Sequence, residues 1–360
     1  MKLCLTNNIF PCGPNASYGG ERMIFYLADH LAKLGHEVYC FMRDGCDFSQ
    51  TGIKDFIPLP PLKDDSDVSY EAVKEYMART GVDFDVYLCG YFGNGWNPEL
   101  IDRFNYAEFT WCRWAHVPWT LPKPGFNIIS CSKHLQLDFQ KVGIPTIRIP
   151  FGLPKDLYTF EPEHDNYAVW LGKIESGKAP SLAIKLAKAA GLKIILLGPP
   201  YSTTCFFNEV APYIDNKTVF WVRGVDDIQK QKIMSRAKVF ISSNANHWGE
   251  HFGIVNIEAL AMGVPVLGFS KINQDCSIVV DEIIRDGEHG FILNYNDSDD
   301  VQEIINKGVP LLNRIHEIDR VECRGKFELM YTAELMAKRY EWFFEQIQGG
   351  KRYGTLELPF

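Results

Sequence analysis

The sequence predicts an α/β protein made of two successive doubly wound domains. Three observations carry this. Short apolar runs of strand character alternate with segments of helical period along most of the 360 residues. Several of the runs end in loops rich in Gly and Pro, the usual punctuation between a strand and a helix. The alternation breaks off once, over residues 153–166, which hold Pro154, Pro162 and several charges without periodicity, and it restarts at residue 167.

In the first half, residues 2–6 read as a buried strand, followed by a loop over residues 11–20 too rich in Gly and Pro for regular structure. Residues 21–34 place Ile24, Leu27, Ala28, Leu31 and Leu34 on one helical face, Gly35 ends that helix, and residues 37–42 form the next strand. Strand, loop, helix and strand make one βαβ unit. Gly19 and Gly20 then lie where α/β sheets bind ligands, at a strand's carboxyl end, although a plain flexible turn would use them too. Residues 45–69 read as irregular and acidic, residues 70–79 as a helix, and residues 85–89 as a strand. Asp83 and Asp85 imitate a metal-binding D-x-D, but they precede their strand and read as its opening residues. The run from Trp111 to Trp119 gathers three Trp around His116, which ends an apolar stretch before Val117-Pro118 and is expected at a strand's carboxyl end. The Trp residues suit stacking on sugar rings and core packing equally. A strand near residues 127–132, a helix to 142 and a segment over 147–152 close the half.

In the second half, strands are expected over residues 167–171, 193–197, 219–222, 238–242 and 264–268, with helices over 180–190, 227–236 and 254–262. Pro180 opens its helix at the position where a missing N–H does no harm. A long helix over residues 332–346 carries Tyr340, Phe343 and Phe344 and must pack on something.

Composition bounds the function. Apolar residues are 46% and charged residues 23%, with a net charge of −8. Residues 1–150 hold 14 Lys and Arg against 17 Asp and Glu, and the remainder holds 23 against 28. Neither half has the basic excess of a nucleic-acid or anionic-lipid surface. The ten Cys show no C-x-x-C and no zinc spacing, and Cys4, Cys40 and Cys89 fall in or beside strand-like runs, which suits a reducing, cytoplasmic setting. Neither a signal peptide nor an apolar run of ~18 residues is expected.

The most informative stretch runs from Trp248 to Val266. It reads as a loop holding Glu250, a close backbone approach at Phe252-Gly253, and a short helix over 254–262 capped by Gly263. The first amides of a helix have no internal partner and favour an anion such as a phosphate. Glu250 and Glu258 flank that anion site, and carboxylates accept well from pairs of sugar hydroxyls. A phosphate between two polyols describes a nucleotide sugar. Taken alone, the two Glu are as readily a solvated helix face, in a chain with 45 acidic residues. The whole string, with Phe252-Gly253, Glu258-Ala259 and Gly263-Val-Pro-Val266, resembles the donor-site signature of the family 4 glycosyltransferases, retaining enzymes of the GT-B fold.

A second loop bears on the same question. Gly172-Lys-Ile-Glu-Ser-Gly-Lys-Ala179 fits G-x-x-x-x-G-K between a strand and a helix, but a P-loop needs Ser or Thr next, and Ala179 cannot hold Mg²⁺. The competing reading sets Lys173 and Lys178 as two cations on one diphosphate. The resembled family usually has Arg where Lys173 stands, and Lys gives up bidentate contact for a point charge.

The resemblance implies two Rossmann-like domains facing across a cleft: residues 1–152 for the acceptor, a linker over 153–166, residues 167–331 for the nucleotide sugar, and residues 332–360 crossing back to the first domain. It implies transfer of a hexosyl group with retention, from a UDP-sugar in preference to a GDP-sugar, to an acceptor the sequence does not identify (saccharide, glycoconjugate, protein or nucleic acid). His116, Lys173, Lys178 and Glu250 are the expected catalytic residues. Gly19, Gly20, Arg223, Gly224, Val225, Phe252, Gly253, Ile254, Val255 and Glu258 are expected to bind the donor, with no metal or other cofactor. A P-loop-like NTPase and a non-catalytic nucleotide-sugar-binding protein are the alternatives.

Overall fold

The computed structural model describes residues 1–7, 10–14, 16, 19–60, 69–90, 110–114, 127–243, 250–271, 280–296, 298–350 and 358. The chain divides into two compact units, Met1–Pro154 with Thr332–Phe360, and Lys155–Tyr331.

The first unit holds a seven-stranded sheet of β1 (Lys2–Asn7), β2 (Glu37–Arg43), β3 (Asp55–Leu59), β4 (Val86–Cys89), β5 (Thr110–Trp114), β6 (Asn127–Ser130) and β7 (Ile147–Arg148). Its order is β3-β2-β1-β4-β5-β6-β7, with every pairing parallel. A parallel sheet is covered on both faces, and β1 and β2 accordingly bury Leu3, Cys4, Leu5, Val38, Cys40 and Phe41 completely. Helix Gly19–Lys33 buries Met23, Ile24, Leu27, Ala28 and Leu31 and stops at Gly35, whose φ is +93°. Asp85 precedes β4 and accepts the Lys2 N–H at 2.6 Å, a contact between the starts of two neighbouring central strands.

Two expectations for this unit are corrected. Residues 45–69 are not wholly irregular, since β3 lies within them and pairs with β2. Pro58 obscured it, yet β3 is the edge strand, where a missing N–H breaks no ladder. Gly19 and Gly20 are not loop residues but the first two of their helix, ahead of Glu21 in its first turn.

The terminal helix Ala333–Gln348 belongs to this unit. The Thr332 hydroxyl caps it by accepting from the Leu335 N–H at 3.2 Å, and the Ala333 N–H donates to Leu153 O at 2.8 Å. At Gly152 the backbone of Thr332 comes so close that an added Cβ would meet its carbonyl oxygen at 2.2 Å. Met336, Tyr340, Phe343 and Phe344 are fully buried, and Glu341 bonds His36 at 3.0 Å.

The second unit repeats the design with β8 (Tyr167–Leu171), β9 (Lys193–Leu197), β10 (Val219–Val222), β11 (Val239–Ser242), β12 (Val266–Lys271) and β13 (Gly290–Tyr295). The order β10-β9-β8-β11-β12-β13, again all parallel, reverses direction between β8 and β11. Such a switch point opens a crevice at the carboxyl ends of the two strands that flank it. Residues 155–166 pack into this unit: Tyr158 is 2% exposed, and Phe160 covers Gly263, where an added Cβ would meet its ring at 2.5 Å. Helices Val301–Asn313 and Arg320–Met330 complete it, the first opened by a reciprocal cap between Asp300 and Glu303.

Candidate functional site

The loops leaving β8 and β11 carry Lys178 and Glu250, so the switch point of the second sheet is where the predicted residues meet. The β8 loop is held from below. Gly172 N–H donates to Leu197 O at 3.1 Å and Ile174 N–H to Pro199 O at 2.9 Å, with Ile174 fully buried. A single turn over Ser176–Lys178 follows, then Ala179 in the left-handed region (φ 46°, ψ 48°), then Pro180 as the first residue of helix Pro180–Ala189. One buried hydroxyl fixes this corner. Ser243, just past β11, shares its proton between Lys178 O at 2.9 Å and Ala179 O at 3.0 Å, and accepts from Trp170 Nε1 at 2.9 Å.

With its backbone fixed, Lys178 reaches Glu250. Nζ donates to Oε2 at 2.5 Å, while Oε1 of the same carboxylate accepts the Gly253 N–H at 3.2 Å. Gly253 precedes helix Ile254–Ala261 with φ 76° and ψ 60°. Glycine is required there, since an added Cβ would lie 2.6 Å from Asn256 Nδ2. Burial works to raise the Glu250 carboxyl and lower the Lys178 ammonium, and their mutual attraction outweighs it in both. Glu250 is held below its ordinary range and Lys178 above, so both are charged at neutral pH.

Glu258, one turn into the same helix, has a different setting. It is 2% exposed, and its Oε1 accepts from Lys230 Nζ at 2.7 Å and from the Tyr158 hydroxyl at 2.8 Å. Lys230 also pairs with Asp227 at 2.6 Å. Its helix, Asp227–Ser235, is started by Asp226, whose carboxylate accepts the Gln229 N–H at 2.7 Å.

The remaining predicted residues fall in several places. Ile254 and Val255 form the first turn of the Glu258 helix, and Phe252 is buried edge-on to Tyr331, ring centroids 6.0 Å apart. Arg223 and Gly224 are exposed beyond the end of β10, Gly224 with φ +68°, and Val225 leads to the Asp226 cap. Lys173 does not share the Glu250 contact; its ammonium lies over the Tyr201 ring, 4.6 Å from the centroid. Gly19 and Gly20 belong to the first unit, and His116 lies outside the described residues. Sequence reasoning missed Lys230, Tyr158, Ser243 and Trp170. Lys230 had a local signal, three residues after Asp227, but its main partner is 28 residues away.

A lysine ammonium, a helix-start amide and a carboxylate at a sheet switch point suit a phosphorylated ligand. Residues 159–309 match the family described as glycosyl transferases group 1. They form a group 1 glycosyltransferase domain. The chain is therefore an enzyme, a glycosyltransferase, and the pair of Rossmann-like units is the GT-B fold. Solved structures share that fold over almost the whole chain. A glycosyltransferase from Rickettsia africae is 16% identical with a TM-score of 0.74, covering 97% of this chain and 100% of its own. Sucrose-phosphate synthase from Thermosynechococcus elongatus is 17% identical with a TM-score of 0.73, covering 98% and 100%. Anabaena HepE, solved with UDP and glucose, is 13% identical with a TM-score of 0.67, covering 96% and 100%. No curated protein sequence matches this glycosyltransferase. Among the described residues, no helix is long and apolar enough to cross a membrane.

Proposed function

We propose that this glycosyltransferase is a retaining, family 4 enzyme that moves a hexosyl group from a nucleoside-diphosphate sugar to an acceptor hydroxyl. The observation that carries the reading is the Glu250 carboxylate, an anion already bound by the Lys178 ammonium and the Gly253 amide. A diphosphate presents charge of the same sign to the same donors. Lys178, Lys173 drawn from Tyr201, and the amides of Gly253, Ile254 and Val255 then take up the charge that grows on the leaving phosphate. Enough positive charge converges for the transfer to proceed without a metal. Displaced from Lys178, Glu250 turns to the hydroxyls of the donor sugar, and His116 contacts the same sugar.

The base is assigned to the exposed Arg223-Gly-Val225 turn. Glu258 accepts from the ribose hydroxyls while Lys230 and Tyr158 keep their hold on its Oε1. Gly19 and Gly20 are assigned to the diphosphate and the acceptor, as the family resemblance implies. No covalent nucleophile is assigned, in keeping with same-face attack assisted by the leaving phosphate. UDP is placed before GDP because the Anabaena relative was crystallised with UDP and glucose.

Incubation with labelled UDP- and GDP-sugars tests the proposal. Slow hydrolysis or transfer of one donor class, undiminished by EDTA and lost in Lys178→Ala, is the expected result. Tight donor binding with no turnover would leave a binding protein instead. Abolition of turnover by EDTA would overturn the metal-free part.

A further inference from the structure

The donor reading leaves unused a sulfur pair at the carboxyl edge of the first sheet. Cys12 lies in the loop that leaves β1, and Cys46 lies just beyond β2, its parallel neighbour. Gly45, with φ +92°, turns the chain back so that it abuts Pro11, where an added Cβ would meet the ring at 3.4 Å. The Cys12 N–H then donates to Cys46 Sγ across 2.8 Å. Cys46 Sγ also reaches Arg43 O at 3.0 Å.

The two sulfurs differ in a useful way. Cys46 is half-buried, and hydrogen bonding from Cys12 holds it below the ordinary cysteine range despite partial burial. Cys12 is 3% exposed, and the neighbouring Cys46 together with burial pushes it up. A thiol favoured as thiolate beside one kept protonated is the arrangement of an attacking and a resolving cysteine. Burial pushes the Cys4, Cys40, Cys205 and Cys323 thiols up instead, which leaves them poor nucleophiles.

We propose that Cys12 and Cys46 are an oxidisable dithiol, a modification site that takes a hydroperoxide and closes an intramolecular disulfide. The Cys46 thiolate attacks one peroxide oxygen, the O–O bond breaks, and the departing oxygen leaves as water, with Cys46 now a sulfenic acid. Cys12 sulfur then attacks Cys46 sulfur, the S–S bond forms, and the S–O bond breaks as a second water leaves with the Cys12 proton. Two thiols and one hydrogen peroxide thus give one disulfide and two waters, and an external thiol reverses it. The bond ties the β1 loop to the β2 turn, immediately ahead of helix Gly19–Lys33. The site stands independently of the donor assignment.

The full-length reduced protein is treated with a few equivalents of hydrogen peroxide, alkylated and peptide-mapped. A Cys12–Cys46 cross-linked peptide, removed by dithiothreitol, is the expected product. In Cys12→Ser, dimedone should trap a sulfenic acid at Cys46; in Cys46→Ser, none should form at Cys12. Untreated protein should alkylate at Cys46 about tenfold faster than at Cys12 at neutral pH. Should peroxide join another pair first, or leave both thiols reduced, the assignment is overturned. The wild-type map decides by itself if either variant fails to fold.

Discussion

Two carboxylates eight residues apart each hold a lysine, and the two pairs are opposites. Lys178 and Glu250 keep 28% and 29% of their side-chain surface in solvent, whereas Lys230 and Glu258 keep 7% and 2%. An open pair exchanges partners readily, since water and salt already compete for both charges. A sealed pair cannot, because losing one member strands the other charge in a medium that solvates it poorly. Two residues of one type, one in the loop before the helix and one inside it, are thus divided between a contact poised for a ligand and a contact that anchors the helix. Tyr158 belongs to the second arrangement, tying the start of the unit to the same carboxylate.

The sharpest way to break this comparison is to remove Lys230. Lys230→Met should destabilise the second unit by about 3–5 kcal/mol, read as a lower midpoint in urea, because Glu258 is left buried without a counter-charge. A Lys230→Met, Glu258→Leu double variant should recover most of the loss. A loss below about 1 kcal/mol in the single variant would show that the pair is not sealed.

Lys178→Ala should reverse the pattern. Transfer should fall by about 10²–10³, the scale of losing one preorganised group at developing charge. The urea midpoint should shift by less than about 1 kcal/mol equivalent. Equal effects on activity and stability would erase the distinction between the pairs.

A smaller effect is expected at Glu250. Glu250→Gln removes the anion that competes for Lys178 and the Gly253 amide, so inorganic pyrophosphate should bind about two- to fivefold tighter while transfer declines. The sign with pH follows from the shifts. Glu250 is held below its ordinary value, so the pair persists above about pH 4.3 and is lost as pH falls through the lowered value. Lys178 is held above its ordinary value, so the pair also persists up to about pH 10.4 and is lost only as pH rises further. The ratio of Glu250→Gln to wild-type affinity, measured by calorimetry, should be flat from about pH 6 to 9. A slope in that window would mean that the contact does not hold both charges.

How much of this was legible in the sequence depends on the range of each interaction. Elements with strong local period, such as helix Gly19–Lys33 and the apolar strands of both sheets, were plain, as was the Gly253 turn, where a backbone constraint selects its residue. Strand β3 was not, because Pro58 is tolerated there only at the sheet edge, which one segment cannot announce. Glu250 and Lys178 were marked by their motifs, but the burial that separates Glu258 from Glu250 comes from Lys230 and Tyr158, 28 and 100 residues away in the chain. The support beneath Lys178 was equally hidden, since Ser243 and Trp170 carry no local signature of a shared hydroxyl.

That support sets up the smallest expected effect. Ala179 takes φ 46° and ψ 48°, a region in which its Cβ crowds the backbone, and it does so because Ser243 holds the carbonyls on either side of the Ala179 amide's turn while Pro180 fixes the next residue. Ala179→Gly relieves the crowding but frees the unfolded chain, two opposing terms of about 0.5–1 kcal/mol each. The net change in urea midpoint should therefore stay within about 1 kcal/mol, with pyrophosphate affinity unchanged because Ser243 still fixes the corner. Ala179→Val, which adds β-branching at the same backbone angles, should destabilise clearly more than the Gly variant. If Gly instead weakened pyrophosphate binding as far as Lys178→Ala does, the corner's shape would depend on the Ala179 methyl group, and the open pair would be no less rigidly built than the sealed one.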